Sequence, residues 1–423
     1  MSDQPSIPRR RLLQTAGAAA ALGWPMMGAI GQSATLPEYV ASRAPIPDYE
    51  FDWGRNGRYD PASNFGTGNA RFAFSTTNLE LWLGYVDFET GVFLPEDGRA
   101  ELIDTYAANA TAFGNGPEWL DGDGPSEIVY TRYLPGEEPS PATAGLGRAR
   151  MVNGSWQAGF FPDSIGRASP AGSLERGDTA PRIHYVASDK SGIYWRSMDA
   201  PDVERVMPID EISKGNARRW VPGTRKVIFQ GRPPGSTARL RDQVFTYDTD
   251  TGEVEQLTFD DVGKLGAYAW RAPEYGGEVL FLTMPQFRQQ ILIYRKIMGL
   301  DGVGRWTVIK TIGTPSQLPF VWSPEVFTHN GRTWIFFQLS ASPKFWDLGI
   351  PTHIAMSGID PLRQDLRMLT NDSTRPRVRL DPEHFITARG PMIYYTRIIP
   401  QTSTRPAAND GVWFVDTRLG PPR

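Results

Sequence analysis

Three Pro-Glu pairs stand at one fixed distance from a hydrophobic triplet. Pro117-Glu118 precedes Ile128-Val129-Tyr130, Pro324-Glu325 precedes Ile335-Phe336-Phe337, and Pro382-Glu383 precedes Ile393-Tyr394-Tyr395, with ten residues from each Glu to its triplet. A shortened copy runs from Pro273-Glu274 to Val279-Leu280-Phe281. Carboxylates that recur at one structural position can converge, and crowded carboxyl groups push one another's pKa apart, so that one stays protonated while another ionises. Acid/base cleavage of a glycosidic bond needs that division. Glu118, Glu325 and Glu383 are therefore the candidate catalytic residues. Trp119 and Trp322, with Trp270 and Trp346, are candidate platforms for the apolar face of a sugar. His384 joins Trp119 and Trp322 as a candidate substrate-binding residue, although adjacent strand positions put it on the opposite face from Glu383. The competing reading makes each Glu an acceptor for backbone N–H groups of a neighbouring turn, and each Trp a packing residue.

The elements that must hold such residues are short strands. From Phe72 onward, apolar runs alternate with Gly, Pro and Asp turns, in a chain with 43 Gly, 36 Pro and 12% aromatic residues. Asp97–Asn109 and Asp202–Lys214 are the best helix candidates. Ile183-His184-Tyr185 and Val227-Ile228-Phe229 are degenerate copies of the triplet, so six strand starts fall at residues 128, 183, 227, 279, 335 and 393. Units of ~40–60 residues, each holding three or four antiparallel strands, are the mark of a β-propeller. One such sheet cannot bury both faces, whereas stacking the units radially does. The expectation is an all-β chain with six blades as the best count and five or seven left open. Residues 65–423 form the propeller and 35–64 an extended segment before it, with Leu79–Leu94 available to close the ring against the last unit. In a propeller the first strand of each blade lines the central channel, which would aim the Pro-Glu carboxylates at one axial pocket.

The stretch Trp322-Ser323-Pro324-Glu325 followed by Asn330-Gly331 and Trp334-Ile335-Phe336-Phe337 resembles a motif of the arabinanase and β-xylosidase propellers. That resemblance implies a glycoside hydrolase in which Glu325 is the carboxylate tuning the catalytic pair on the axis. Weaker likeness continues through His353–Ser357 and Asp381–His384. Val244–Thr258 is similar to a blade of TolB-like periplasmic propellers, which implies a non-catalytic binding protein instead. A propeller polysaccharide lyase is the third reading.

Composition removes several classes. With 44 Lys and Arg against 47 Asp and Glu, the chain offers no excess of cations for a nucleic-acid groove. The absence of cysteine excludes disulfides, thiolate metal sites and Cys nucleophiles. The partner expected is a polysaccharide or oligosaccharide. No cofactor is called for, although an axial ion such as Ca²⁺ is compatible with the carboxylates, and Asp121 and Asp123 could approach one. Residues 1–34 read as an address: Arg9-Arg10-Arg11 precede Leu12-Leu13 and a Gly-interrupted apolar run that ends near Ser33-Ala34. The order resembles the twin-arginine export signal, implying a periplasmic or secreted protein with no membrane span in its mature form.

Overall fold

The computed structural model describes residues 36–46, 48–52, 69–120, 126–173, 180–189, 192–208, 218–233, 235, 242–344, 347–371 and 375–423. They form seven antiparallel sheets, each the blade of a β-propeller. Blade 1 begins with Glu50–Phe51, Asn69–Ser75 and Leu81–Asp87, and blade 2 with Glu118–Leu120, Glu127–Tyr133 and Ala144–Val152. Blades 3 to 6 have Arg167–Gly172, Arg218–Trp220, Lys264–Ala272 and Phe320–His329 as innermost strands. Blade 7 runs outward from Val378–Thr387 through Gly390–Ile399 to Ala408–Asp416.

Seven blades replace the six favoured from spacing, within the range left open. The six triplets are the second strands of blades 2 to 7. The uncounted blade is the first, whose second strand Asn69–Ser75 has no Pro-Glu pair before it. Leu81–Asp87 belongs to that blade and closes nothing. The ring is closed by Glu38–Ser42, which pairs antiparallel with Ala408–Asp416. The segment 35–64 is thus more than an extended lead-in, since it supplies the last strand of blade 7 and the first of blade 1. A five-residue strand whose partner lies at the far end of the chain leaves no local pattern to read.

Both helix candidates fail in part: Glu101–Asp104 and Ala200–Val206 are strands, and the only α-helix among the described residues is Ala110–Phe113. No helix among them is long and apolar enough to cross a membrane. Asp121, Asp123, Trp346 and the export signal lie outside the described residues.

Apolar clusters fill every junction between neighbouring blades. Ile128 and Tyr130 meet Leu81 and Leu83 between blades 1 and 2, and Ile335 and Phe337 meet Leu280 and Leu282 between blades 5 and 6. Phe51, Phe72 and Phe93 meet Phe385, Tyr394 and Phe414 where blade 7 meets blade 1. The triplets are hydrophobic on successive positions because each second strand is covered on both faces. Burial of this kind supplies most of the stability.

Candidate functional site

Each blade presents one residue of its innermost strand at the same level. In blades 2, 3, 4, 6 and 7 these residues pair with the middle residue of the triplet: Glu118 with Val129, Ala171 with His184, Arg219 with Ile228, Glu325 with Phe336 and Glu383 with Tyr394. Glu50, opposite Ala73, and Tyr268, opposite Leu282, complete the ring. That these side chains face a common axis follows from a contact across it. The Arg219 Nη2 of blade 4 donates to the Glu325 Oε1 of blade 6 at 3.2 Å, although blade 5 separates them in the ring.

A repeated backbone device sets the level. The innermost strands of blades 3, 5, 6 and 7 each carry a β-bulge two residues before the axial position, between Ala168 and Ala171, Leu265 and Tyr268, Trp322 and Glu325, and Leu380 and Glu383. The bulged residues Ser169, Gly266, Ser323 and Asp381 all have positive φ, between 43° and 58°. Only one of the four is glycine, so three positions carry backbone strain of the kind that gathers at functional sites. Three of the four bulged residues are followed by proline, and this accounts for Pro324-Glu325 and Pro382-Glu383 in the sequence. In blade 6 the hairpin after the strand turns on Asn330-Gly331, both at positive φ, which suits a two-residue turn.

The sequence-derived set is brought together in part. Glu118, Glu325 and Glu383 all stand in the ring. Glu274 does not: it accepts the Thr333 backbone N–H and the Thr333 hydroxyl, the latter at 2.8 Å, and so ties blade 5 to blade 6. Trp119, Trp322 and His384 need correction as sugar-binding residues. Trp119 is buried between blades 1 and 2 under the Arg71 guanidinium, with its indole N–H donated to the Glu50 carbonyl at 3.0 Å. Trp322 is buried with the Arg288 guanidinium over its ring. His384 stacks on Phe327 and meets Phe336 at a tilt, and burial pushes its pKa well below the usual histidine range. Strand alternation is the reason for Trp119 and His384: each follows an axial Glu and turns into the junction.

Sequence reasoning missed Asp48, Glu50, Arg219, Tyr268 and Asp381. With Glu118, Glu325 and Glu383 the site holds six half-buried carboxyl groups. Among the described residues, the ion pair from Arg219 to Glu325 is the only one that reaches any of the six. Desolvation pushes the Glu325 carboxyl up, Arg219 pulls it down, and Asp381 and Glu118 raise it again, leaving it at about 7. Burial and the charge of Asp381, Glu118 and Glu325 push Asp48 up to about 8, and its protonated carboxyl donates to Asp381. Burial raises Glu118 and Asp381 as well, against the pull of Arg219. Glu50 and Glu383 are held well above the ordinary range, by burial first and then by neighbouring carboxylates. Arg219 also lies over the Tyr268 ring, 5.5 Å from its centroid. The ring therefore combines carboxyl groups raised by burial with one, Glu325, that has a guanidinium within ion-pair distance.

No family model and no curated protein matches this chain. Solved structures do. An oligogalacturonate lyase in complex with manganese covers 92% of this chain and 97% of its own, at 11% identity and a TM-score of 0.45. The β-propeller domain of the Trilobed protease from Pyrococcus furiosus covers 83% and 90%, at 11% identity and 0.43. A TolB candidate from Agrobacterium tumefaciens covers 57% and 80%, at 16% identity and 0.34. The likeness is one of fold. The arabinanase-type resemblance remains confined to its motif. Among the described residues no group of three or more acidic or histidine side chains is arranged to hold a metal ion.

Proposed function

We propose that this chain is an exported carbohydrate-active enzyme, a glycoside hydrolase working through its axial carboxylates. The observation that carries the reading is the asymmetry between Glu325 and Glu383. Glu325 has the Arg219 guanidinium at 3.2 Å to stabilise its anion. Among the described residues Glu383 has no ion pair, and burial, Glu325, Glu50 and Asp381 push its carboxyl well above the usual range. One carboxyl then gives a proton while its neighbour takes one. In this scheme Glu383 protonates the glycosidic oxygen as the bond to the anomeric carbon breaks. Water bonds to that carbon and passes its proton to Glu325, so one water is consumed per bond cleaved. Glu118 and the Asp48–Asp381 pair complete the set that returns the proton to Glu383.

Export by the twin-arginine route rests on Arg9-Arg10-Arg11-Leu12-Leu13, and a polysaccharide or oligosaccharide is the partner this chemistry requires. A binding propeller of TolB type is favoured by one observation, the burial of Trp119 and His384, which takes indole and imidazole faces away from any ligand. The deciding experiment incubates the protein with a panel of neutral, amine-bearing and uronic polysaccharides. New reducing ends support hydrolysis, unsaturated products support a lyase, and no product from any glycan counts against the enzyme.

A further inference from the structure

Among the described residues the most exposed aromatic side chains are Phe259 and Phe287, at 77% and 68% of full exposure. Phe259 lies in the connection from the outermost strand of blade 4, Val254–Gln256, to the innermost strand of blade 5, Lys264–Ala272. Phe287 lies in the turn between Glu278–Pro285 and Gln290–Met298 of blade 5. The two loops are joined, since the Gln286 backbone N–H donates to the Gly263 carbonyl at 2.8 Å. Val262, on the first loop, is exposed as well.

Neither loop is slack. The buried Lys264 donates its ammonium to the Val262 carbonyl at 2.7 Å and to the Asp260 carboxylate. The buried Gln243 amide donates to the Asp260 and Val262 carbonyls at 2.9 and 3.3 Å. On the second loop the Arg288 N–H donates to the Pro285 carbonyl at 2.7 Å, and the Arg288 carbonyl accepts the Val321 N–H at 2.8 Å. Buried side chains and backbone hydrogen bonds thus hold two rings in water, where the rings gain nothing from folding. A loop already fixed loses little further freedom when a ligand covers it.

We propose that Phe259 and Phe287 form a stacking platform for a polysaccharide, an outlying subsite of the axial site, so that the substrate is a chain rather than a short oligosaccharide. An exposed aromatic ring suits the apolar face of a sugar, and the exposed Asp260, Asp261 and Gln289 beside the rings in the chain supply partners for its hydroxyl groups. A stable protein interface takes ~800 Å² from each partner, far more than two rings and a valine offer. The position suits a chain that reaches the axis. Lys264–Ala272 begins at the Phe259 loop, and Tyr268 of the axial ring stands on the same strand, on the order of 10 Å along it. Asp48 and Asp381 precede Glu50 and Glu383, so they lie on the side of the ring where the innermost strands begin, the side that carries both Phe residues. The proposal rests on the hydrolase reading only for what happens at the axis, because the platform binds a chain whether or not the ring cleaves it.

Native gels cast with soluble xylan, a soluble β-glucan or polygalacturonate measure the platform without cleavage. At least one of these polymers should retard the protein. Phe259→Ala and Phe287→Ala should each weaken that association about tenfold, the double variant should abolish it, and Phe259→Trp should keep it. Melting temperature should not move, since both side chains stand in solvent. On a polymer that the protein cleaves, each Ala variant should raise KM about tenfold at unchanged kcat and leave kcat/KM for an aryl glycoside of the same sugar unaltered. No retardation in any gel, retardation that the Ala variants keep, or a wild-type dimer that the Ala variants dissolve overturns the proposal. The two readings fail separately. Retardation that disappears with the rings, while no glycan is cleaved, keeps the platform and sinks the hydrolase. Cleavage of a polymer that the Ala variants perform as well as the wild type does the reverse.

Discussion

Arg219 and Glu325 touch at 3.2 Å although they belong to blades 4 and 6, so the pair spans the interior of the ring rather than a blade junction. A junction contact such as Glu274 with Thr333 ties neighbours and can form in any stacked pair of sheets. A contact that skips a blade forms only when the ring is closed and its innermost strands share a level. The same guanidinium pulls the Glu325 carboxyl down against the burial that raises it. Structure and proposed chemistry therefore meet in one guanidinium.

Replacing Arg219 by Met should move the Glu325 carboxyl upward from about 7, because the cation that favours its anion is gone. If Glu325 accepts a proton during turnover, the ascending limb of the pH–rate profile should shift to higher pH by the same amount. Arg219→Lys should restore much of it. A limb that does not move would show that Arg219 has no part in tuning the base.

Glu325→Gln and Glu383→Gln should each lower the rate by ~10²–10⁴, the usual cost of losing a general acid or base. Thermal stability should hold or rise, since each change removes a group that is costly to ionise where it stands. Glu274→Ala is the contrasting variant. It should cost about 0.5–1.5 kcal/mol for its lost hydrogen bonds and leave the rate alone. Melting temperature and activity measured on all three variants separate a catalytic carboxylate from a structural one. Loss of stability in Glu325→Gln and Glu383→Gln, with no activity to lose, would return them to the structural reading.

How much of this was legible beforehand can be traced residue by residue. The second strands of blades 2 to 7 could be read because a strand buried on both faces is an apolar run, and the run repeats. The axial Glu residues of blades 2, 6 and 7 could be read because proline marks the turn or bulge before them. Arg219 could not, since its blade has a different inner strand and no proline at that place. Asp48 and Glu50 lie between Glu38–Ser42, which pairs with the far end of the chain, and a two-residue strand, Glu50–Phe51, too short to leave a pattern. Counting back from the middle residue of each triplet along strand pairing would have found Arg219, but that pairing is a property of the sheet. Trp119 and His384 were misplaced because residue type was weighed above alternation.

Stability should fall as pH rises through the neutral range. Glu325 and Asp48 have folded values of about 7 and about 8, above their ordinary values, so between the two the folded protein holds protons that the unfolded chain has lost. Stability is then fully present below the unfolded values, declines across about pH 4 to 8 and levels off above. Glu38 acts in the opposite sense: burial opposes its ionisation, but Arg379, Tyr395 and Arg397 outweigh burial and lower its pKa, so its contribution is lost only in acid. Urea midpoints measured from pH 5 to 9 should decrease. A rise over that range would contradict the protonation pattern of the ring.

Replacing Arg9 and Arg10 with Lys should hold the protein in the cytoplasm if the twin-arginine pathway reads them. Fractionation of cells expressing both forms is the measurement. Undiminished export of the Lys form would leave an ordinary secretory signal as the explanation of residues 1–34.

The closing strand supplies the sharpest stability test. Glu38 lies on Glu38–Ser42, and on blade 7 it meets Arg379, whose side chain is fully buried. The Arg379 Nε donates to Glu38 Oε2 at 3.0 Å, its Nη2 donates to Oε1, and the Tyr395 hydroxyl donates to Oε2 at 2.6 Å. Glu38→Ala leaves a guanidinium buried without its anion and should destabilise by ~3–5 kcal/mol. Replacing Glu38 by Leu and Arg379 by Met together should recover much of that loss, because the desolvation cost disappears with both charges. The same break should reach the axial ring. Asp48 and Glu50 follow Glu38 in the chain and hold their positions because the strand before them is anchored. Glu38→Ala should therefore weaken ligand binding at temperatures where the fold is intact, and the double variant should restore it. Denaturation and binding measured on the same samples check both halves, and a Glu38→Ala protein of unchanged stability would show that ring closure does not depend on this ion pair.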